Sequence, residues 1–412
     1  MPTALPSRPA AAARVPAPAP ESSAAAAAGR PRGRFLAELD HPGQVFGHFG
    51  PNWFAVVMGT GIVGQSAAVL PLALPGLRVL AVVFWALAAL LLVAVTTGWA
   101  AHRIRHRERA RAHADHPVSG QFWGAPPMAL LTVGAGTLSL GRDWLGEPLA
   151  VTVAAVLWTL GTLLGVAVGV RIPARMMARG DAAPDAAFGG WLMPVVPPMV
   201  SAATGAALVP HLPQGQPRLT LLICCGALFG AALLPSLFLI ARIWDRLLHH
   251  SAGPAALAPT FWIVLGPLGQ SVTAANLLAS AAPDALGEQR AAGLGTAAVL
   301  YSLPVWGFAM LWLALSCALT LRASRGRLPS GRRGLPFSLT WWGFTFPLGT
   351  CVTGTAALAA RLGSPVLAAL AVVLFTGLLT AWGVVAVRTA RAAARGGIFL
   401  PPAQPAPAAA RR

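Results

Sequence analysis

The residues that could do chemistry inside the apolar stretches of this chain are amides, hydroxyls and aromatic rings. The amides there are Asn52, Gln65, Gln121, Gln270 and Asn276. No Asp, Glu, Lys, Arg or His lies deep within any of these stretches. Membrane-embedded enzymes need acids, bases or metal ligands near their substrate, and proton-coupled carriers keep a buried carboxylate or histidine. The sequence therefore disfavours both classes and favours a neutral permeation path.

Charged groups outside these stretches offer little further chemistry. One group of histidines could be considered for a metal: His102, His106, His113 and His116. Five arginines interleave with it and would repel a divalent cation, so no metal site is predicted. Asp181 and Asp185 are typical of a solvated loop pair. We predict no catalytic residue and no cofactor.

The composition is that of a polytopic helical membrane protein. The chain has 412 residues, of which 56% are hydrophobic and only 10% charged, against about 25% charged in soluble domains. An Ala/Pro/Arg segment, 1–45, is predicted as a disordered cytoplasmic tail, and 389–412 as a second one. Between them, 46–388 is predicted as one membrane domain of ten apolar segments, at 49–70, 76–100, 120–140, 148–170, 191–210, 219–241, 258–281, 294–320, 337–360 and 364–387.

The arginines give these segments an orientation. Twenty-five of the thirty basic residues, all of them arginine, fall in the two tails and in alternate loops, while the other loops hold single arginines. The positive-inside rule then places both termini in the cytoplasm of a multi-pass protein of the cell membrane. This topology accounts for the net charge of +18 without a nucleic-acid partner.

The odd-numbered segments differ from the even-numbered ones. They carry most of the prolines and all the amides, and they resemble one another, as in PNWFAVVMGTGIVG (51–64) and WWGFTFPLGTCVTGT (341–355). Polar amides avoid lipid unless they are paired or wet. The predicted fold is all-α, with ten transmembrane helices as five helical hairpins. Odd-numbered, kinked helices form an inner ring around a central pore, and even-numbered helices form an outer ring.

The ninth segment supplies the candidate gate. Pro347 lies near its midpoint, so we expect a kink there, and Phe346, just before it, is the bulkiest group near the middle. A hydrophobic constriction can close a pore by dewetting. Ordinary packing is the alternative for every phenylalanine considered. The further gate candidates are Phe344, Phe54, Phe122 and Phe261, and the predicted kink and lining residues are Pro51, Gly59, Thr60, Pro127, Pro197, Pro267, Gln270, Pro347 and Thr350.

Such a lining favours anions. It has no negative charge to hold cations, and kinked helices direct backbone N–H groups and half-helix dipoles into the lumen. The arginine-rich cytoplasmic rim would concentrate anions at the inner mouth.

Three motifs resemble the tellurite-resistance/dicarboxylate transporter family, which is related to the slow anion channels, malate transporters and sulfite efflux pumps. HFGPNWFAVVMGTGIVG (48–64), GPLGQ (266–270) and WWGFTFPLGT (341–350) are similar to its first, seventh and ninth helices. The resemblance covers 49–387. It implies a fivefold pseudo-symmetric bundle around a central pore, a homotrimer with one pore per subunit, and correspondence of Phe346 to the phenylalanine that occludes the pore in channel members.

The predicted function is transport of small anions, either C4-dicarboxylates such as malate and succinate, or sulfite and related oxyanions. The partners are the anion, the lipid bilayer and two further copies of the chain. A polytopic membrane enzyme acting on a lipid-linked substrate is the main alternative, and its polar catalytic cluster near one membrane face is missing from the sequence. A membrane scaffold is a third possibility, for which the alternating helix chemistry has no use.

Overall fold

The protein is nearly all helical. The computed structural model describes residues 35–72, 74–116, 118–180, 184–250, 252–327, 331 and 333–400. Within these ranges, the backbone outside the helices forms turns and one isolated β-bridge, and there is no β-strand. Ten α-helices have ten or more residues: α1 Phe54–Val69, α2 Leu77–Arg105, α3 Ala125–Leu140, α4 Glu147–Arg179, α5 Pro197–Ala206, α6 Gln216–His249, α7 Leu265–Leu286, α8 Glu288–Ser324, α9 Phe346–Leu362 and α10 Pro365–Arg395.

Six helical stretches in the described chain are long and apolar enough to cross a membrane. They are the five even-numbered helices and Ala255–Leu286, which joins a 3₁₀ segment to α7. About 20 apolar residues are needed to cross the hydrocarbon core as an α-helix. This supports the prediction of an integral membrane protein. The other odd-numbered helices have only 10 to 17 residues, which is fewer than such a crossing needs.

Burial separates the helices into two kinds. Thirteen of the sixteen residues of α1 are buried, whereas α2 buries seven of twenty-nine, at intervals of three or four residues. That spacing gives α2 a single stripe facing the protein. The even-numbered helices carry their apolar side chains outward, as Leu90, Leu163, Phe238, Leu300 and Val373 show, each at least 65% exposed. An apolar exterior of this kind suits lipid.

Contacts between the odd-numbered helices close a ring. In chain order α1, α3, α5, α7 and α9 each contact the next, and α9 contacts α1. Each even-numbered helix packs against the odd-numbered helix before it and against the one that follows it in this ring, α10 returning to α1. We call the five odd-numbered helices the inner helices.

A second ring lies at the N-terminal ends of the inner helices. A 3₁₀ segment precedes each of them, and these segments also contact one another in order, the last meeting the first. Together they are called the 3₁₀ ring: Pro51–Trp53, Ser119–Gly124, Gly189–Leu192, Ala255–Val264 and Leu339–Phe344.

The prolines mark the start of the inner α-helices. Pro347 is the second residue of α9, directly after the 3₁₀ ring, and Pro197 is the first residue of α5. Pro127 and Pro267 lie in the first turns of α3 and α7. A proline is tolerated in a first turn, where its missing N–H would have no intrahelical partner. The predicted kink at Pro347 within one continuous helix is therefore corrected to a junction between a 3₁₀ segment and an α-helix.

Two glycines allow the 3₁₀ ring to close tightly. A Cβ on Gly124 would lie 1.7 Å from the carbonyl oxygen of Met193, and one on Gly189 would lie 1.8 Å from that of Thr260. In both cases the glycine belongs to one segment of the 3₁₀ ring, and the carbonyl lies in the next segment or directly after it. Any side chain at either position would separate the two backbones.

The first and last described parts of the chain lie side by side. Leu36 donates its backbone N–H to the carbonyl of Ala394 at 2.7 Å, and Glu38 donates to Arg395 at 2.9 Å. Phe399 stacks on Trp53 with ring centroids 5.3 Å apart. Leu36 and Glu38, which fall in the predicted N-terminal tail (1–45), thus pack at the end of α10. Residues 1–34 and 401–412 of the two predicted tails lie outside the described residues.

Candidate functional site

A cavity of about 730 Å³ lies between the inner helices and opens toward the side of their C-terminal ends. All five of them line it, for example through Ile62, Ser139, Thr204, Gln270 and Thr353. Since these side chains come from every member of a closed ring, the cavity is central to the bundle. It extends from the C-terminal ends of the helices, which we call its mouth, toward the level of Gln270, which we call its floor.

Arg361 is the best-anchored charge at the mouth. Its Nε donates to Asn276 Oδ1 at 2.7 Å, and its Nη2 donates to the Asn276 carbonyl and to Ser280 Oγ, both at 2.8 Å. Asn276 is buried and donates in turn to Ser302 Oγ at 3.0 Å. Three hydrogen bonds through Nε and Nη2 fix the orientation of the guanidinium, and none of its bonds to described residues uses Nη1.

The only other charge on the cavity wall, within the described chain, is Arg78. It forms an ion pair with Asp143, and both side chains are more than half exposed. No acidic side chain lines the cavity among the described residues. Arg361 has no carboxylate within 4 Å there either. The positive charge at the mouth is therefore largely that of Arg361.

Two glutamines on the wall differ in how they are paired. Gln65 donates its Nε2 to the Thr132 carbonyl at 2.6 Å. Gln270 is only 5% exposed and lines the cavity, and its side chain makes no hydrogen bond to any described residue. Because no described residue bonds to it, this cavity-facing amide is available to a solute or water.

The hydroxyl groups near Gln270 are already occupied by backbone carbonyls. Thr273 donates to the Gly269 carbonyl at 3.1 Å, and Thr353 to the Thr350 carbonyl at 3.1 Å; the two hydroxyls lie 2.8 Å apart. Thr350 donates to the Pro347 carbonyl at 2.6 Å. At the floor, the N–H donors of Gln270 are therefore the ones left for a ligand.

The predicted phenylalanines lie at and below this floor rather than on the cavity wall. Phe346 is 3% exposed and precedes Thr350 by one helical turn, so it lies roughly 6 Å further from the mouth. Phe344 contacts the Trp262 ring edge-on at 5.3 Å, and Phe54 contacts Trp99 at 5.9 Å. Phe122 and Phe261 belong to the 3₁₀ ring and are each 3% exposed.

Of the predicted lining residues, only Gln270 lies on the cavity wall. Thr60 accepts a hydrogen bond from Trp382 Nε1 at 3.1 Å, and Gly59 packs against Thr345 and Trp342. Thr350 is bonded within α9, and the four helix-start prolines and Pro51 lie at the level of the 3₁₀ ring. These residues form the packed zone beneath the floor. Arg361 was not predicted as a site residue.

The histidines are at the opposite end of the bundle from the mouth. The rings of His102 and His113 stack 5.3 Å apart, and His48 lies 5.9 Å from His113. His116 instead accepts two backbone N–H bonds from Val118 and Ser119. Burial, followed by the neighbouring histidines, lowers the pKa of His113 to about 4. Within the described chain, no group of three or more potential ligands is arranged to hold a metal ion.

Comparison with known proteins assigns the chain to a family. The family model described as "Voltage-dependent anion channel" matches residues 48–390, which include all ten helices up to the last turns of α10. The chain belongs to the voltage-dependent anion channel family. Membership in this family confirms the resemblance found in the three sequence motifs.

Relatives within the voltage-dependent anion channel family are named as transporters. An uncharacterized transporter of Methanocaldococcus jannaschii is 28% identical over 314 residues, which cover 76% of this chain and 84% of the relative. The sulfite efflux pump SSU1 of Trichophyton rubrum is 26% identical over 324 residues, covering 77% and 84%. That of Arthroderma benhamiae is 25% identical over 324 residues, with the same coverage. The protein is an anion transporter or channel of the membrane and not an enzyme.

Proposed function

We propose that this protein moves small singly or doubly charged oxyanions, sulfite foremost and C4-dicarboxylates as the alternative, through the centre of its inner helices. The observation that carries the proposal is the central cavity, which all five inner helices line and whose only described charges are arginines. A path with this lining attracts anions and offers no ligand for cations. The names of the fungal relatives favour sulfite as the first substrate to test.

The inner helices and the 3₁₀ ring together supply the length needed to cross the membrane. Each inner α-helix continues N-terminally into its 3₁₀ segment, so the shorter ones extend beyond their α-helical bounds. On this proposal there are ten crossings, arranged as five hairpins, with both termini in the cytoplasm. The cavity mouth then faces away from the cytoplasm. By family resemblance the protein is a homotrimer of the cell membrane, with one pore in each subunit.

Phe346 is proposed as the gate. It is buried one turn below the floor and begins α9 at the junction with the 3₁₀ ring. Its ring would block passage from the floor to the cytoplasmic side by excluding water. The other phenylalanines considered for the gate have ring contacts or positions within the 3₁₀ ring that packing explains.

The test is a flux assay on the purified full-length protein in liposomes. Phe346→Ala should raise the initial rate of sulfite uptake about tenfold, equivalent to lowering the barrier by about 1.4 kcal/mol. Phe375→Ala is the matched control, because Phe375 is a buried phenylalanine of α10 outside the inner ring. An unchanged or lower rate in well-folded Phe346→Ala protein would remove Phe346 as the gate. Wild-type protein that moves none of sulfite, malate, succinate, nitrate and chloride would remove the transport proposal.

A further inference from the structure

We propose that the cavity binds its anion at two levels, first at Arg361 at the mouth and then at Gln270 at the floor. The ligand class is a singly charged oxyanion that retains an O–H group, such as hydrogensulfite or a half-protonated dicarboxylate. This inference rests on the transport function proposed above and names the residues that recognise the substrate.

The helix dipoles explain why a cation is needed at the mouth. The C-terminal ends of α1, α3, α5 and α9 line the mouth, and each such end carries a partial negative charge of roughly half an elementary charge. An anion approaching bare carbonyl ends would be repelled. Arg361 lies in the last turn of α9 and donates to a carbonyl of α7, so it offsets this field at the point of entry.

The geometry of Arg361 fits a docking role. Asn276 and Ser280 hold Nε and Nη2 through three hydrogen bonds, while Nη1 has no hydrogen-bond partner among the described residues. A guanidinium fixed in this way loses little conformational entropy when an oxyanion binds to its remaining donors. Arg78 is unsuited to this role, because Asp143 already neutralises it.

The floor offers a different kind of contact. Gln270 lies six residues before Asn276 on α7, so it is roughly 9 Å deeper along the helix axis. It is also among the first two turns of α7, near the positive end of the helix dipole. An anion that moves from Arg361 to Gln270 therefore leaves the full positive charge of the guanidinium. It approaches the partial positive charges at the N-terminal ends of the inner helices.

The chemistry of the amide selects the ligand. A glutamine side chain offers two N–H donors and one carbonyl acceptor. That of Gln270 is 5% exposed, lies on the cavity wall and has no partner among the described residues. An oxyanion with one remaining proton can accept from the N–H group and donate its O–H to the carbonyl. A fully ionised dianion would leave the carbonyl unpaired and would bring a second charge to a floor without a cation. Chloride can use only the donors.

The experiment measures half-saturation concentrations for sulfite and for chloride with full-length protein in liposomes, the anion being supplied from the side of the cavity mouth. Gln270→Leu should raise the value for sulfite about tenfold, because a charge-assisted hydrogen bond is lost. Its chloride value should change less than that for sulfite. Gln44→Leu is the control, since Gln44 lies outside the cavity and is bonded to Asp40, and it should leave both values within about twofold.

The mouth is tested separately. Arg361→Gln should raise the half-saturation concentration for both anions about tenfold at low salt, and less at high salt because of screening. The control is the double variant Arg78→Gln with Asp143→Asn, which keeps the net charge and should stay near wild type.

Each part can fail on its own. A folded Gln270→Leu protein that retains wild-type half-saturation for sulfite, or loses sulfite and chloride equally, would overturn the role of Gln270. Equal shifts in Arg361→Gln and in the Arg78/Asp143 control would overturn the role of Arg361. In either case the wild-type protein still transports, which distinguishes these failures from failure of the proposed function.

Discussion

Gly124 lies where the 3₁₀ ring is tightest, and its replacement by alanine tests whether that ring holds the bundle together. A Cβ there would stand 1.7 Å from the Met193 carbonyl oxygen and 2.4 Å from its carbon. Ordinary contact begins at 3.4 Å, so the two backbones would have to separate by about 1.7 Å. The φ angle of Gly124 is −71°, which alanine adopts without strain. Steric overlap with the Met193 carbonyl is therefore the expected cause of the loss of stability.

Overpacking of this kind against backbone costs about 3 kcal/mol or more, because a carbonyl cannot rotate away as a side chain can. We expect Gly124→Ala to lower the midpoint of thermal unfolding in detergent by about 5–10 °C, using the usual shift of a few degrees per kcal/mol. The assay follows loss of the monodisperse peak on size-exclusion chromatography after heating. Gly226→Ala is the matched control, because a Cβ on this exposed glycine of α6 would meet nothing within 4 Å.

The outcome that would refute the reasoning is a Gly124→Ala protein as stable as Gly226→Ala and as active as wild type. It would mean that two segments of the 3₁₀ ring can move apart by more than an ångström without loss of stability or of transport. The ring could then not set the width of the path next to Phe346.

Two further predictions concern pH and one long-range hydrogen bond. Because the pKa of His113 in the folded protein, about 4, lies below its usual value, the unfolded chain binds the proton more tightly. The contribution of His113 to the free energy of unfolding should be complete above about pH 6.5 and should fall as the pH is lowered toward 4. The loss is at most about 3 kcal/mol, and solvent screening of the partly exposed ring makes it smaller. A His113→Gln variant should show a shallower fall in thermal midpoint between pH 7.5 and 4.5, and an identical slope would contradict this. For the bond from Trp382 to Thr60 at 3.1 Å, a double-mutant cycle of Trp382→Phe and Thr60→Val should give a coupling of about 1 kcal/mol; a coupling of zero would contradict it.

The sequence predicted which helices are buried because polar amide side chains occur only in the odd-numbered apolar segments. Amides are costly in lipid, and Gln65, Gln270 and Asn276 all lie on inner helices facing the cavity. Proline gave a weaker signal. Pro347 shows that the hydrogen-bond ladder is interrupted, but the same residue suits both a kink and a helix start. Only the structure shows that the backbone before it is 3₁₀.

Arg361 could not be recognised from sequence. An arginine in the last turn of a helix commonly binds the terminal carbonyls of its own helix, and nothing near residue 361 indicates that its partners are Asn276 and Ser280, 85 and 81 positions earlier. The phenylalanines illustrate the same limit. Their types suggested candidates for a gate, but residue type does not decide among them, because side-chain direction depends on the register between helices that are distant in the chain.

The junction between α9, α10 and α1 has a consequence for biosynthesis. Ser66 reaches the Gly349 carbonyl across 283 positions, and Trp382 reaches Thr60 across 322. During translation, α1 is made long before α9 and α10, so its glycine- and hydroxyl-bearing face has no partner from those helices until they have been synthesised. Any chain that stops before α9 leaves that face open. Synthesis of α9 and α10 is therefore the step that covers this face of α1 and closes the ring of inner helices.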